Sequence, residues 1–250
     1  MLGSVNVTKR SEMSEMSVKN QPNWPYFAPF EVVIHNTPDD CWVSILGRVL
    51  NVTPLIKEHQ GEKCIRPILS MAGKDISCWF DEKTGDIQHY INPENGCRVP
   101  YCPHGPIPDV PLQVPATNWR PLGRLPWWND PKYQIGLLTK RVRPLRIINM
   151  TNPFDKEVLL NVCCEDTFLR IQERYSFFNS NAESYTWRGI DKNIFMNKTL
   201  DENGFPDERD LFTKLGLPQT YYIPTVFLYY NDDLKYPDLS DDECKSLNDN

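Results

Sequence analysis

The chain has four histidines, His35, His59, His89 and His104, and none after position 104. Imidazole is the side chain that most readily binds metals and moves protons near neutral pH. No Ser-His-Asp or Cys-His arrangement is visible around these four, and no phosphate-cradling glycine loop occurs. The chain is therefore read as a non-enzyme. Chemistry concentrates in two places. Cys97, Cys102 and His104 lie close together, but Cys-x4-Cys is at the edge of zinc practice and no fourth ligand is near. Glu58-His59-Gln60-Gly61 is the other. There the ring stands at the predicted end of a helix. It can meet the negative end of the helix dipole when protonated, or offer a bare nitrogen to a metal.

The elements that position these residues are legible. Pro29 suits the first turn of a helix over 30–36, with His35 as a helix-end residue. Asn36 to Asp40 is turn chemistry. Cys41–Leu46 and Arg48–Val52 read as a hairpin turning at Leu46-Gly47. Thr53-Pro54 starts a helix that runs to Glu58, and Gly61 can take the left-handed conformation that ends it. Helices follow over 67–71, over 76–80 with Asp75 as cap, and over 86–90.

Composition bounds the rest. With 250 residues and 40% hydrophobic content the chain can bury a sizeable core. No apolar run approaches the roughly 20 residues of a membrane-spanning helix, so no membrane partner is expected. Met1 to Asn23 is polar and does not read as a signal peptide. It is taken as a disordered tail, and a reducing, cytoplasmic setting leaves the eight cysteines mostly as free thiols. Net charge is −6, of which residues 231–250 carry −5, with seven acidic and two basic residues. The body is nearly neutral, so no nucleic acid partner is expected. Lys140, Arg141, Arg143 and Arg146 form the one basic cluster, read as a solvated strand entry or a docking patch.

Ten prolines fall between Pro93 and Pro131. They exclude regular helix or central strand there, while Trp119, Trp127 and Trp128 argue against a disordered linker. The stretch is read as an extended strap anchored by Pro126-Trp127-Trp128-Asn129. The pattern then resets. Strands at 144–150 and 156–162 make a hairpin, Glu165-Asp166-Thr167 opens a helix over 168–178, and strands follow at 185–189 and 193–196. A capped turn at Thr199–Gly204 and a strand at 223–230 complete it.

The order Trp42-Val43, Gly47-Arg48-Val49, Val52-Thr53, a helix, His59-Gln60-Gly61, then Ala72-Gly73-Lys74-Asp75 and Phe80 resembles the cytochrome b5 haem-binding domain. In that family two histidines clamp the haem iron. The resemblance makes His59 the first axial ligand and Gly61 part of the cofactor loop. Gln60 and Glu62 stand where the family has Pro and Gly. Near Gly85, where the second histidine belongs, there is none; Tyr90 or His89 takes its place. A His59/Tyr90 pair favours ferric iron, because a phenolate oxygen is a hard, anionic ligand, whereas His59/His89 suits an ordinary electron carrier.

The second half is similar to the ubiquitin-like β-grasp, without the Gly-Gly end. The expected fold is thus α+β: a disordered tail at 1–23, a cytochrome b5-like domain at 24–92, a Pro/Trp-rich strap at 93–139, a β-grasp domain at 140–234 and an acidic tail at 235–250. As a whole, with Asp75–Asp81, Ser184–Trp187 and Tyr229–Leu234, the chain resembles a family of b5-domain proteins of motile cilia. That resemblance implies the axoneme, other radial spoke and axonemal proteins as partners, a role in coordinating ciliary beating, and redox-dependent haem binding. The alternative is a soluble b5-type electron-transfer haemoprotein.

Overall fold

In the computed structural model, residues 24–110, 123–152, 157–190 and 192–230 are described. The expected tails, and Trp119 of the strap, lie outside them. The chain divides into two compact units, residues 1–138 and 139–250.

The first unit is built on a five-stranded sheet. Its strands are β1 (Tyr26–Phe27), β2 (Asn36–Thr37), β3 (Asp40–Ile45), β4 (Arg48–Asn51) and β7 (Gln134–Leu138), in the order β1-β7-β4-β3-β2. The β3–β4 hairpin turns at Leu46-Gly47, both with positive φ, as a two-residue loop between antiparallel strands requires. β4 then pairs antiparallel with β7, across more than 80 residues of chain. β1 runs parallel to β7 on the far side. Gly136 permits this approach: a Cβ there would collide with the Pro25 carbonyl oxygen and the Phe27 ring.

Short helices cover the sheet: α1 (Pro29–Val33), α2 (Thr53–Glu58) and α3 (Arg66–Ser70), with 3-10 turns at Lys63–Ile65 and Ser77–Trp79. Thr53 is not the N-cap of α2 but lies inside it. Its Oγ1 accepts instead from the Cys41 amide at 2.9 Å and ties the helix start to β3. The expected helix over 76–80 shrinks to the turn at Ser77–Trp79. The Asp75 carboxylate there is shared among the Ser44 hydroxyl, the Ser77 hydroxyl and the Ser77 amide.

The expected helix over 86–90 is absent. Asp81 Oδ1 accepts from the Lys83 and Thr84 amides, and Gly85 turns the chain with φ 68°. His89–Ile91 is then strand β5, paired antiparallel with β6 (Arg98–Pro100). A partner strand decides the conformation here, and local propensity yields to it.

The Pro/Trp-rich stretch joins the first unit. Ile107, Trp127, Trp128 and Tyr133 belong to the same apolar cluster as Val43, Leu55, Ile68, Ile76 and Phe80. Trp127 is 1% exposed and Trp128 3%. Their indole N–H groups donate to the Pro108 carbonyl and the Asp86 carboxylate, both at 3.2 Å. The prolines interrupt regular structure, and the aromatics supply the burial.

The second unit has strands β8 (Val142–Asn149), β9 (Val158–Cys163), β10 (Tyr185–Arg188) and β11 (Thr225–Tyr230), in the order β10-β11-β8-β9. β8 and β9 form the expected hairpin, and β11 returns parallel to β8 in the centre. Helix α4 (Phe168–Tyr175), capped by the Thr167 hydroxyl, buries Phe168, Ile171 and Tyr175. This hairpin, helix and central parallel return is the β-grasp arrangement. The expected strand at 193–196 is reduced to a single bridge between Arg188 and Asn193. Helix α5 (Arg209–Lys214) was not foreseen.

The basic cluster is largely consumed inside this unit. Arg143, 2% exposed, donates to Asp201 at 2.8 Å and to the Phe205 carbonyl at 2.6 Å. Arg141 grips Asp210 with two N–H groups, and Arg146 faces Glu157 at 3.4 Å. Arg143 is thereby an internal tie, whereas Arg141 and Arg146 stay partly exposed in ion pairs at the surface of the unit. Next to them, hydrogen bonding from Arg209 holds the Asp207 carboxyl at about 2 instead of 3.8.

Two predictions follow from this packing. Trp127→Ala destabilises the first unit by about 3–5 kcal/mol in urea unfolding; a loss under about 1 kcal/mol would mean that the segment only drapes over the core. Asp207 has a lowered folded pKa, so its contribution is present above the unfolded value and fades as pH falls from about 4 toward about 2. Asp207→Asn should flatten the melting temperature of the second unit across that window, and an unchanged slope would contradict the assignment.

Candidate functional site

His59 is the C-cap of α2, and its amide donates to the Leu55 carbonyl at 3.1 Å. The chain then turns back on itself. Gly61 has φ +86°, and the Glu62 amide donates to the His59 carbonyl at 3.1 Å. This turn brings the Glu62 carboxylate to His59 Nδ1, 2.9 Å away. A carboxylate only accepts, so Nδ1 carries the proton and, in the neutral ring, Nε2 keeps its lone pair. Nε2 is buried and has no hydrogen-bond partner. The ring itself is 18% exposed.

Glu62 is shared. The Cys64 thiol donates to the same Oε2 at 3.2 Å. Hydrogen bonding from His59 first, and from Cys64 second, lowers the Glu62 pKa. Burial, and then Glu62 itself, push the Cys64 thiol up to about 11. Beside this loop, Arg124 bridges Glu58 at 3.1 Å and Asp109 at 3.2 Å. The Asp109 carboxylate in turn accepts from the Trp127 amide at 3.0 Å. The late aromatic segment is thus tied to the end of α2.

The other predicted site residues lie elsewhere in the first unit. His89 and Tyr90 stand on β5. His89 Nδ1 donates to the Ile87 carbonyl at 2.7 Å, which leaves its Nε2 as the bare nitrogen. The Tyr90 ring stands edge-on to Tyr101 at 5.9 Å and is 37% exposed. Among the described contacts neither meets His59. His35 stacks on Trp42 at 3.5 Å, and its Nδ1 bonds to Asp40. His104 stacks on Trp79, beside a cleft lined also by Ile87, Cys102 and Ile107 with room for about 10 Å³, roughly one water. Among the described residues Cys97, Cys102 and His104 form no converging ligand set; His59, Glu62 and Cys64 do.

The residues present fit one side of a haem site. A buried, partnerless imidazole nitrogen, with its opposite nitrogen anchored on a carboxylate, is how an iron-ligating histidine is held. The opposite side is not assembled around it in this structure. The loop holds His59 and Gly61, which the sequence reading named, and Glu62, which it did not name as an orienting group. The signal was available, since an acid stands where a second glycine is the pattern.

A profile described as "Cytochrome b5-like Heme/Steroid binding domain" matches residues 29–92. "Cytochrome b5 domain-containing protein 1" of Homo sapiens is 43% identical over 210 residues, 84% of this chain and 91% of that one. The Xenopus laevis protein of the same name is 42% identical over 210 residues, 84% and 95% of the two chains. A solved ubiquitin of Caldiarchaeum subterraneum is 10% identical over 36% of this chain and 95% of its own, with a TM-score of 0.26. That likeness is too slight to carry weight, and the β-grasp assignment rests on strand order. No described helix is long and apolar enough to cross a membrane.

Gly61→Ala should cost about 1–2 kcal/mol from the left-handed φ alone, because a Cβ there meets open space. Gln60→Ala should be close to neutral, and equal losses in the two variants would refute the turn's role. The match in sequence spans both units, and the chain belongs to the cytochrome b5 domain-containing protein 1 family.

Proposed function

We propose that the chain is a non-enzymatic component of the motile-cilium axoneme, at the radial spoke stalk, whose first unit binds ferric haem through His59. The observation that carries the haem reading is the buried Nε2 of His59, without a partner and oriented by Glu62 on the other side of the ring. Haem would be held by His59 on one side and by Tyr90, or alternatively His89, on the other, with Gly61 shaping the loop. Bound haem supplies a one-electron centre. With a phenolate as second ligand the oxidised form is favoured, so the protein gains haem when oxidised and loses it on reduction. Such behaviour suits a redox-responsive structural part better than a carrier. The axonemal placement is supported by the resemblance of the whole arrangement, b5-like unit, Pro/Trp-rich stretch and β-grasp unit, to ciliary b5-domain proteins. Other radial spoke and axonemal proteins are then its partners.

A second reading, a soluble electron-transfer haemoprotein, is favoured by His89, whose Nε2 lone pair is left free by the bond of Nδ1 to Ile87. Ferric haem titrated into the full chain separates the two. The expected result is a Soret shift that is lost in His59→Ala, weakened about 10- to 100-fold in Glu62→Gln, and discharged by dithionite. Haem retained through reduction in wild type, but lost in His89→Ala, would establish the carrier. Absence of any shift would remove the haem reading. For the placement, a tagged chain should stay with detergent-extracted axonemes; full release with the soluble fraction would contradict it.

A further inference from the structure

The loop after α2 gathers three different donor atoms. His59 Nδ1, a Glu62 carboxylate oxygen and Cys64 Sγ all lie within 4.8 Å of one another. Glu62 Oε2 is the hub, 2.9 Å from the nitrogen and 3.2 Å from the sulfur. In tetrahedral zinc sites, with metal–ligand distances of about 2.0–2.3 Å, neighbouring donors stand about 3.5 Å apart. Both separations to the hub are shorter than that value, and rotation of the exposed Glu62 carboxylate away from its two donors opens the room an ion needs. The scaffold that sets the three donors is local. The Gly61 turn fixes Glu62 against His59, and the 3-10 turn Lys63–Ile65 that follows places Cys64. Two protons occupy the centre at present, those of the imidazole Nδ1–H and the thiol S–H, and both point at the same oxygen.

We infer that His59, Glu62 and Cys64 form a binding site for a borderline transition metal of the zinc class, with solvent in the fourth position. The mixture of imidazole, thiolate and a single carboxylate selects this class over calcium or magnesium, which take oxygen donors. On binding, the thiol proton leaves to solvent and the sulfur ligates as thiolate. The imidazole proton moves from Nδ1 to Nε2, and the carboxylate exchanges two hydrogen bonds for one metal bond. The site stands apart from haem ligation, which uses the other ring nitrogen. The two need opposite tautomers of one imidazole, so the metal occupies the haem-free protein.

The test is cobalt(II) titration of the full, haem-free chain under reducing conditions. The expected result is a near-ultraviolet thiolate-to-cobalt band that saturates at one equivalent and is displaced by zinc. Cys64→Ser should abolish the band. His59→Ala and Glu62→Gln should each weaken binding by about tenfold or more. Cys97→Ser and Cys102→Ser should leave it unchanged. A wild type without the band, or a band that survives in Cys64→Ser, overturns the site. Glu62 is exposed, so Glu62→Gln keeps the test valid if Cys64→Ser does not fold, and undiminished binding in that variant also overturns it. Retention of the haem response in Cys64→Ser separates this site from the haem reading.

Discussion

The hydrogen bond between His59 Nδ1 and Glu62 sets the chemistry of the first unit. It is 2.9 Å long and closes over a glycine that only a left-handed φ can turn. Because the carboxylate accepts a hydrogen bond from Nδ1–H, the buried nitrogen on the other edge of the neutral ring keeps its lone pair. A buried acceptor without a partner costs about 1–3 kcal/mol. That cost is tolerated where a ligand completes the site. The helix before the loop, the sheet below it and the aromatic segment tied to Glu58 through Arg124 all serve to keep the ring where it is.

The aromatic segment gives this b5-like unit its particular form. Trp127 and Trp128 fill the core, while Asp109 and Arg124 fasten the stretch to the end of α2. The chain then runs on into β7, which lies between β4 and β1 in the sheet. A segment rich in proline is thereby integral to the fold. Between the short strands β6 and β7 it holds little regular structure, but its indoles bury large area and find acceptors for their N–H groups. The second unit solves a different problem with its charges. Arg143 is buried against Asp201, and Arg141 and Arg146 pair with Asp210 and Glu157 of the same unit.

Legibility followed the range of the interactions. The Leu46-Gly47 hairpin, the start and end of α2 and the amphipathic face of α4 are set within a few residues, and the sequence displays them. β7 was hidden, since Gln134–Leu138 is short, carries a glycine and acquires its conformation from partners near residues 26 and 49. His89 and Tyr90 were read on a helix because Asp86 to Tyr90 has no strand signature; the pairing with Arg98–Pro100 makes them a strand. His59 was named from the spacing of a known motif. Glu62 stood out only as an acid where the family has a glycine, and its meeting with His59 and Cys64 depends on a turn whose outcome no periodicity encodes.

The central claim is that Nε2 of His59 is the bare, ligand-ready nitrogen. Nitrogen-15 NMR of the imidazoles in the metal-free, haem-free chain reads this directly, with His59→Ala identifying the signal. The proton should sit on Nδ1, with Nε2 showing the shift of an unprotonated nitrogen, and Glu62→Gln should disturb that preference. A proton found on Nε2, with Nδ1 bare, would contradict the account.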